Sequence, residues 1–496
     1  MSLRRADGPA QDPEDHEPSR PSTRSALRWT SIALIGKQVF QLIGALLIAR
    51  ILGPSSYGVI SVAMIYVTLT TLVLDQGLSA ALIQRPALTP KAPGAVVALN
   101  LVATVGLSIA SYFLAPAIAN FFGVHELAGL IQILAIGLVL KALAIVPRAM
   151  LSRTLTFKPV AIAEITGAAF GAAAGVTAAF LGADELSLVY QVFTVDAIVA
   201  LVLLAAARGP VPNLRLNELR PLLSFSVKVF TTNSIAYLSR NADNILVGRF
   251  LGVTSLSYYA MAYRVLVIPV QMIGQTVNRV MFPLFSRQSD DRAAVGANLE
   301  RATGLLALVA MPMALVACAA PQLIHVVLGD AWAPTAPILS VLAIAGARET
   351  IFYITPSLMK AMGLATLNLQ YEILATAVQI AGIIAGLTFG VLGVAIGYLV
   401  AGFALVPVLL AIQKSVAGVS TVTQLRSIWP SVHASLWGAT AYLAVSLSPL
   451  EQAATLLVGT VAFCAIAFSV LFLVHRRRFL ESAADLISIV RPGASK

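Results

Sequence analysis

The sequence predicts an all-α polytopic membrane protein, with about fourteen transmembrane helices in two pseudo-symmetric lobes around a central cleft. Three observations predict it. The 496 residues are 58% hydrophobic and only 11% charged, with a mean hydropathy of +0.87. Soluble domains run near ~45–50% apolar and ~25% charged, so a water-soluble enzyme of this length is excluded. Apolar blocks of roughly 20 residues follow one another, each long enough to cross ~30 Å of hydrocarbon. The third observation is a parallel internal repeat.

The elements follow in order. Residues 1–28 are rich in proline and charge and read as a disordered tail, with no cleavage site after a short apolar stretch to mark a signal peptide. Apolar spans at 29–49, 57–83, 93–119, 127–147, 159–181 and 186–207 make an N-lobe over 29–207. Spans at 222–248, 257–285, 302–320, 337–358, 368–389 and 392–411 make a C-lobe over 222–411. A further pair, 428–447 and 452–474, precedes a basic tail at 475–496.

Lysine and arginine fix an orientation. With the N-terminus inside, the inward loops and the two tails hold 24 basic residues, and the outward loops only Arg50 and Arg249. Asp184, Glu185, Asp330 and Glu451 fall outside. Both termini are therefore expected to be cytoplasmic.

After the first span the chain reads Arg50-Ile-Leu-Gly-Pro-Ser-Ser-Tyr57, and after the seventh Arg249-Phe-Leu-Gly-Val-Thr-Ser-Leu-Ser-Tyr258. Six spans separate the copies, so both point the same way across the membrane. Such a parallel repeat predicts two lobes about an axis along the membrane normal. Two lobes leave a cleft, the architecture of an alternating-access carrier.

Charge inside hydrocarbon costs ~2.5–3.5 kcal/mol per residue at the bilayer centre, so it needs a partner, water or a function. Lys37, Lys141, Lys228, Arg240, Arg264, Arg279 and Arg348 fall within spans, as do Asp75, Glu164, Asp196, Asp243, Glu349 and Glu372. At about 100° per residue, Arg264, Gln271, Gln275 and Asn278 share a face of span 8, with Arg279 at its edge. Asn233, Tyr237, Arg240 and Asn244 share a face of span 7. Ser61, Thr68, Asp75 and Ser79 line up on span 2, and Thr30, Lys37, Gln41 and Gly44 on span 1. These stripes occupy the first two spans of each repeat and predict a water-filled, cationic cleft. Blander readings stand beside this one. Lys141 and Lys228 lie near span ends, where they can snorkel to the interface. Arg240 with Asp243, and Arg348 with Glu349, read equally as structural ion pairs. Asp75, Asp243 and Glu349 are candidates for ion coupling. Glu164 shares a face with Gly167, Gly171 and Gly175, a pattern of tight helix packing rather than catalysis.

Soluble-type chemistry is missing. No phosphate-cradling glycine loop, paired-cysteine motif or zinc-binding histidine pair is present, so neither an enzyme activity nor a cofactor is expected. The five histidines are scattered, which argues against a metal site, and Cys318 and Cys464 sit in apolar segments as packing residues. The net charge of +11 is spread over short loops, so nucleic acid is not an expected partner.

The fourteen-span plan, Arg50-Ile-Leu-Gly-Pro-Ser-Ser-Tyr-Gly58, Asp75-Gln-Gly77, Phe282-Pro-Leu-Phe-Ser-Arg287 and Gly329-Asp-Ala-Trp332 together resemble a known family. It is the polysaccharide-exporter branch of the MATE-like (MOP) flippase superfamily, which includes Wzx-type flippases and teichuronic acid exporters. The likeness covers roughly residues 29–480. It implies translocation of a polyprenyl-diphosphate-linked oligosaccharide from the inner to the outer leaflet of a bacterial cell membrane. It also implies membrane lipids and a polysaccharide polymerase with its export machinery as partners. Cationic residues are then expected in the cleft, with Arg264 and Arg240 on the diphosphate, joined by Lys37, Arg348, Arg279, Gln271, Gln275 and Asn278. A lipid II flippase and a cation or drug antiporter of the same superfamily are the alternatives; the antiporter would centre on acidic and aromatic groups.

Overall fold

The computed structural model describes residues 23–476, apart from 76–77, 85–87, 208–209, 214 and 216–219. All regular structure among them is helical. In hydrocarbon each backbone N–H and C=O must be satisfied within its own segment, and the helix is the form that allows this.

The N-terminal half comprises α1 (Thr23–Asp75), α2 (Leu78–Gln84), α3 (Ala92–Phe122), α4 (Glu126–Arg153), α5 (Phe157–Phe180) and α6 (Ser187–Ala207). The second half begins with α7 (Arg220–Phe250), α8 (Val253–Arg287), α9 (Arg292–Ala307), α10 (Ala310–Val327) and α11 (Thr335–Phe352). It continues through α12 (Thr355–Ala361), α13 (Ala365–Leu387), α14 (Gly390–Ala404), α15 (Val406–Ala417), α16 (Thr421–Ser446) and α17 (Gln452–Val474). The fourteen predicted spans map onto these in order. Spans 9, 10 and 12 are each split in two: α9–α10, α11–α12 and α14–α15. Among the described residues, ten helical stretches are long and apolar enough to cross a membrane. The first of them, Trp29–Ile83, holds two spans. The polar helices α7, α8 and α16 complete the set.

α1 is two helices joined at Gly53, where φ is 75° and ψ 177°. Gly252, which separates α7 from α8, has φ 85° and ψ 166°. The two copies of the Arg-x-Leu-Gly motif therefore break their helices with the same backbone conformation, a region that only glycine occupies without strain. The repeat read from sequence is a structural repeat.

α1, α4, α5 and α6 pack together in one lobe, and α8, α11, α13 and α14 in the other. α5 approaches α6 closely because Gly167, Gly171 and Gly175 leave room; a methyl at Gly171 would lie 2.3 Å from Val195. The largest apolar core joins the lobes, running from Ile48 and Tyr57 through Val247 and Leu256 to Trp332 and Ile338. α16 and α17 pack on each other and on α10, in a cluster that includes Cys318 and Cys464 as free thiols.

Candidate functional site

A cavity of about 460 Å3 lies between the lobes. One wall is α1, with Gln38 and Gln41 before the Gly53 break and Ser61 and Thr68 after it. α4 contributes Lys141, and α6 contributes Gln191 and Asp196. The opposing wall is α7, with Tyr237, Asn241 and Asn244, and α8, with Tyr263 and Arg264. The lining is thus rich in neutral amides and hydroxyls. Lys141, Asp196 and Arg264 are its charged groups among the described residues.

One end of the cavity is sealed by parts of both lobes. Trp332, in the short turn between α10 and α11, is fully buried. Its indole lies edge-on to Tyr57 and Tyr258, with ring centroids 5.6 and 6.0 Å away. Arg50 Nη1 donates to the carbonyls of Val326 and Val327, at 2.8 and 3.0 Å. These carbonyls belong to the last turn of α10, where a helix has no internal donors left and carries partial negative charge. Below the tryptophan, Gly58 meets the backbone of α8: a Cβ built on it would lie 2.3 Å from the carbonyl oxygen of Val253.

Arg264 lines the cavity with no ion-pair or hydrogen-bond partner among the described residues. The side chains of Arg240, Gln271 and Lys228 lie outside the described residues. Lys37 turns from the cavity toward α5, 4.0 Å from Glu164, and Arg148 also pairs with Glu164. The packing role read for Glu164 is therefore joined by an electrostatic one. Arg279 is exposed, Gln275 and Asn278 are half-buried, and none of the three reaches the cavity lining.

One further expectation changes. Arg348 and Glu349 do not form an ion pair: Tyr398 donates to Glu349 at 3.0 Å, whereas the Arg348 guanidinium lies against Gly402. Neighbours on a helix point about 100° apart, so adjacency in sequence does not bring them together. Asp243 is buried and accepts from Tyr259 at 2.9 Å and from the Asn244 backbone at 2.7 Å, away from the cavity lining. Asp75, at the end of α1, accepts from the Ser79 hydroxyl of α2.

Lys141 is the group that the sequence reading undervalued. α4 continues past Pro147 to Arg153, which places Lys141 about 18 Å from the helix end rather than near it. Its ammonium faces Asp196 at 3.4 Å. The available signal was the pairing of opposite charges on spans 4 and 6, which sequence alone did not align.

The family described as "Polysaccharide biosynthesis protein" matches residues 47–337. The chain belongs to that family. It is 28% identical to the teichuronic acid biosynthesis protein TuaB of Bacillus subtilis (strain 168) over 70% of this chain and 73% of that one. It is 23% identical to the lipopolysaccharide biosynthesis protein WzxC of Escherichia coli (strain K12), over 77% and 78% of the two chains. Among solved structures, lipid II flippase MurJ in an inward closed conformation superposes with a TM-score of 0.72 at 17% identity, covering 90% of this chain and 99% of that one. An inward-facing multidrug resistance MATE transporter of the MOP superfamily gives 0.60 at 17% identity, over 79% and 98%. At such identities these two show the fold: a MATE-like, two-lobed membrane bundle.

Proposed function

We propose that this protein is a flippase that carries a polyprenyl-diphosphate-linked oligosaccharide from the inner to the outer leaflet of a bacterial cell membrane. The observation that carries this reading is the cavity between the lobes, into which both walls bring amides and hydroxyls, with Arg264 unpaired among the described residues. A sugar diphosphate is too polar to enter hydrocarbon, and amides and hydroxyls replace its hydration. A guanidinium grips phosphate oxygens through two parallel charge-assisted hydrogen bonds. The relatives named for teichuronic acid and lipopolysaccharide biosynthesis support a polysaccharide precursor as the cargo. A cationic drug would find no counter-charge, since Asp196, the acid of the lining, is neutralised by Lys141.

In this reading both termini are cytoplasmic and the Trp332 end faces outward. The two repeats rock against each other, so the seal opens as the opposite end closes. An inside-negative potential drives the anion outward by ~2.3 kcal/mol per charge per 100 mV. A polymerase then receives the delivered unit.

The test is genetic and chemical. A strain lacking this protein should accumulate a lipid-linked intermediate, identified by mass spectrometry of extracted lipids. Arg264→Ala should reproduce that accumulation at normal protein level, with Arg264→Lys rescuing in part because ammonium lacks the planar fork. Full export by Arg264→Ala would remove Arg264 from the mechanism, and no accumulation in the deletion strain would remove the flippase reading.

A further inference from the structure

The pair Lys141–Asp196 is a buried ion pair left incomplete. Its side chains are only 17% and 12% exposed. The Nζ–Oδ2 separation of 3.4 Å is longer than the ~2.7–2.9 Å of a well-made charge-assisted hydrogen bond. Asp196 Oδ2 is fully buried and accepts no hydrogen bond. Buried ion pairs that serve structure alone have their remaining lone pairs and protons satisfied, because desolvation otherwise outweighs the Coulombic gain. Both residues also line the cavity, so this loosely made pair borders the space that the substrate enters.

We infer that Lys141 and Asp196 form the glycan subsite of this cavity, taking neighbouring hydroxyls of the substrate's sugar, while Arg264 from the other lobe takes its diphosphate. The inference rests on the flippase reading and assigns the ends of the substrate within it. The division follows from charge. A paired cation has no net charge to draw a phosphate, and an anionic oxygen could bind Lys141 only by competing with Asp196. Arg264 carries no such competitor among the described residues. A sugar hydroxyl, in contrast, both donates and accepts. One hydroxyl can donate to the Asp196 carboxylate while its neighbour accepts from the ammonium, and the ion pair stays intact. The surrounding wall has the same character. Gln38 and Gln41 from α1 and Gln191 from α6 stand on the Lys141 side, and each amide both donates and accepts. The glycan therefore lies against the N-terminal lobe and the diphosphate against α8. The substrate bridges the two bodies that must move relative to each other.

The experiment compares two ligands on the full-length protein in lipid nanodiscs. One is the glycolipid extracted from the deletion strain; the other is polyprenyl diphosphate without sugars. The double variant Lys141→Gln/Asp196→Asn removes both charges at once, so no uncompensated ion is left to unfold the lobe. It should weaken glycolipid binding about tenfold or more. It should leave polyprenyl diphosphate binding unchanged, whereas Arg264→Ala should weaken both ligands. Equal weakening of both ligands by the double variant would make the pair a phosphate site and overturn the assignment. No effect on either ligand would leave it a structural ion pair and overturn it as well. Failure of the unaltered protein to bind either ligand would instead strike the flippase reading, on which the assignment stands.

Discussion

The indole nitrogen of Trp332 donates a hydrogen bond of 3.1 Å to the carbonyl oxygen of Ala49, 283 residues earlier in the chain. This bond ties the turn between α10 and α11 to the end of the first half of α1, one residue before the Arg50 that caps α10 in return. The two lobes thus hold each other at the seal through reciprocal contacts. Truncating a buried tryptophan to alanine costs about 3–5 kcal/mol. Where that loss falls on the sealed state alone, the unsealed population should rise roughly a hundredfold to a few thousandfold. Trp332→Ala should therefore let a membrane-impermeant maleimide added from outside reach a cysteine at Ala260 in the cavity wall. Labelling no faster than in the unaltered protein would mean that other contacts hold the seal.

Gly53 and Gly252 should respond alike to substitution. Each adopts a backbone conformation that a Cβ strains by about 1–3 kcal/mol, and neither has a neighbour within 4 Å of an added methyl. Gly53→Ala and Gly252→Ala should each lower the melting temperature in detergent through strain alone. Gly106→Ala, which also meets no neighbour but lies inside a helix, serves as the control and should not lower it. Unequal effects at Gly53 and Gly252 would separate the two halves of the repeat.

Glu164 joins three helices by pairing with Lys37 of α1 and Arg148 of α4. Its carboxylate is only 15% exposed, while the two cations reach more solvent. Glu164→Gln should destabilise the protein by about 1–3 kcal/mol, from loss of hydrogen bonds to a charged acceptor. Thermal melting of Glu164→Gln, Arg148→Gln and the double variant would measure their coupling, and strict additivity would show that the pair contributes nothing.

Orientation is testable by single cysteines. Replacements at Ser55 and Asp330 should react with an impermeant reagent on intact cells, and one at Ser289 should react only after lysis. External labelling at Ser289 would reverse the proposed topology.

Much of the architecture was legible in the sequence because hydrocarbon thickness imposes a length on every span and backbone satisfaction imposes a helix on it. The repeat was legible because Arg-x-Leu-Gly needs glycine at one backbone position, which the structure finds at Gly53 and Gly252. The site was less so. Arg264, Tyr237, Asn244 and Thr68 were placed on polar stripes, and all four line the cavity. Lys141 was not placed there, because the apolar block ends near residue 147 while α4 runs on to Arg153. Lys37 shares its stripe with Gln41, yet Glu164 on α5 draws it aside. Angular position on one helix cannot say which neighbour a long side chain will choose. The seal was legible only as a motif: Gly329-Asp-Ala-Trp332 carries no periodicity, and its meaning lies in partners hundreds of residues away.

The contact of Gly58 with Val253 separates two properties that a carrier must satisfy together. Main chain meets main chain there, with no side chain of either residue between them. A closure built this way is indifferent to what is carried. Amides and charges around the cavity can be exchanged to suit another sugar while the latch keeps its fit, since none of them takes part in it. At this contact, selection and closure are separable: side chains of the cavity can change while the Gly58–Val253 fit stays as it is.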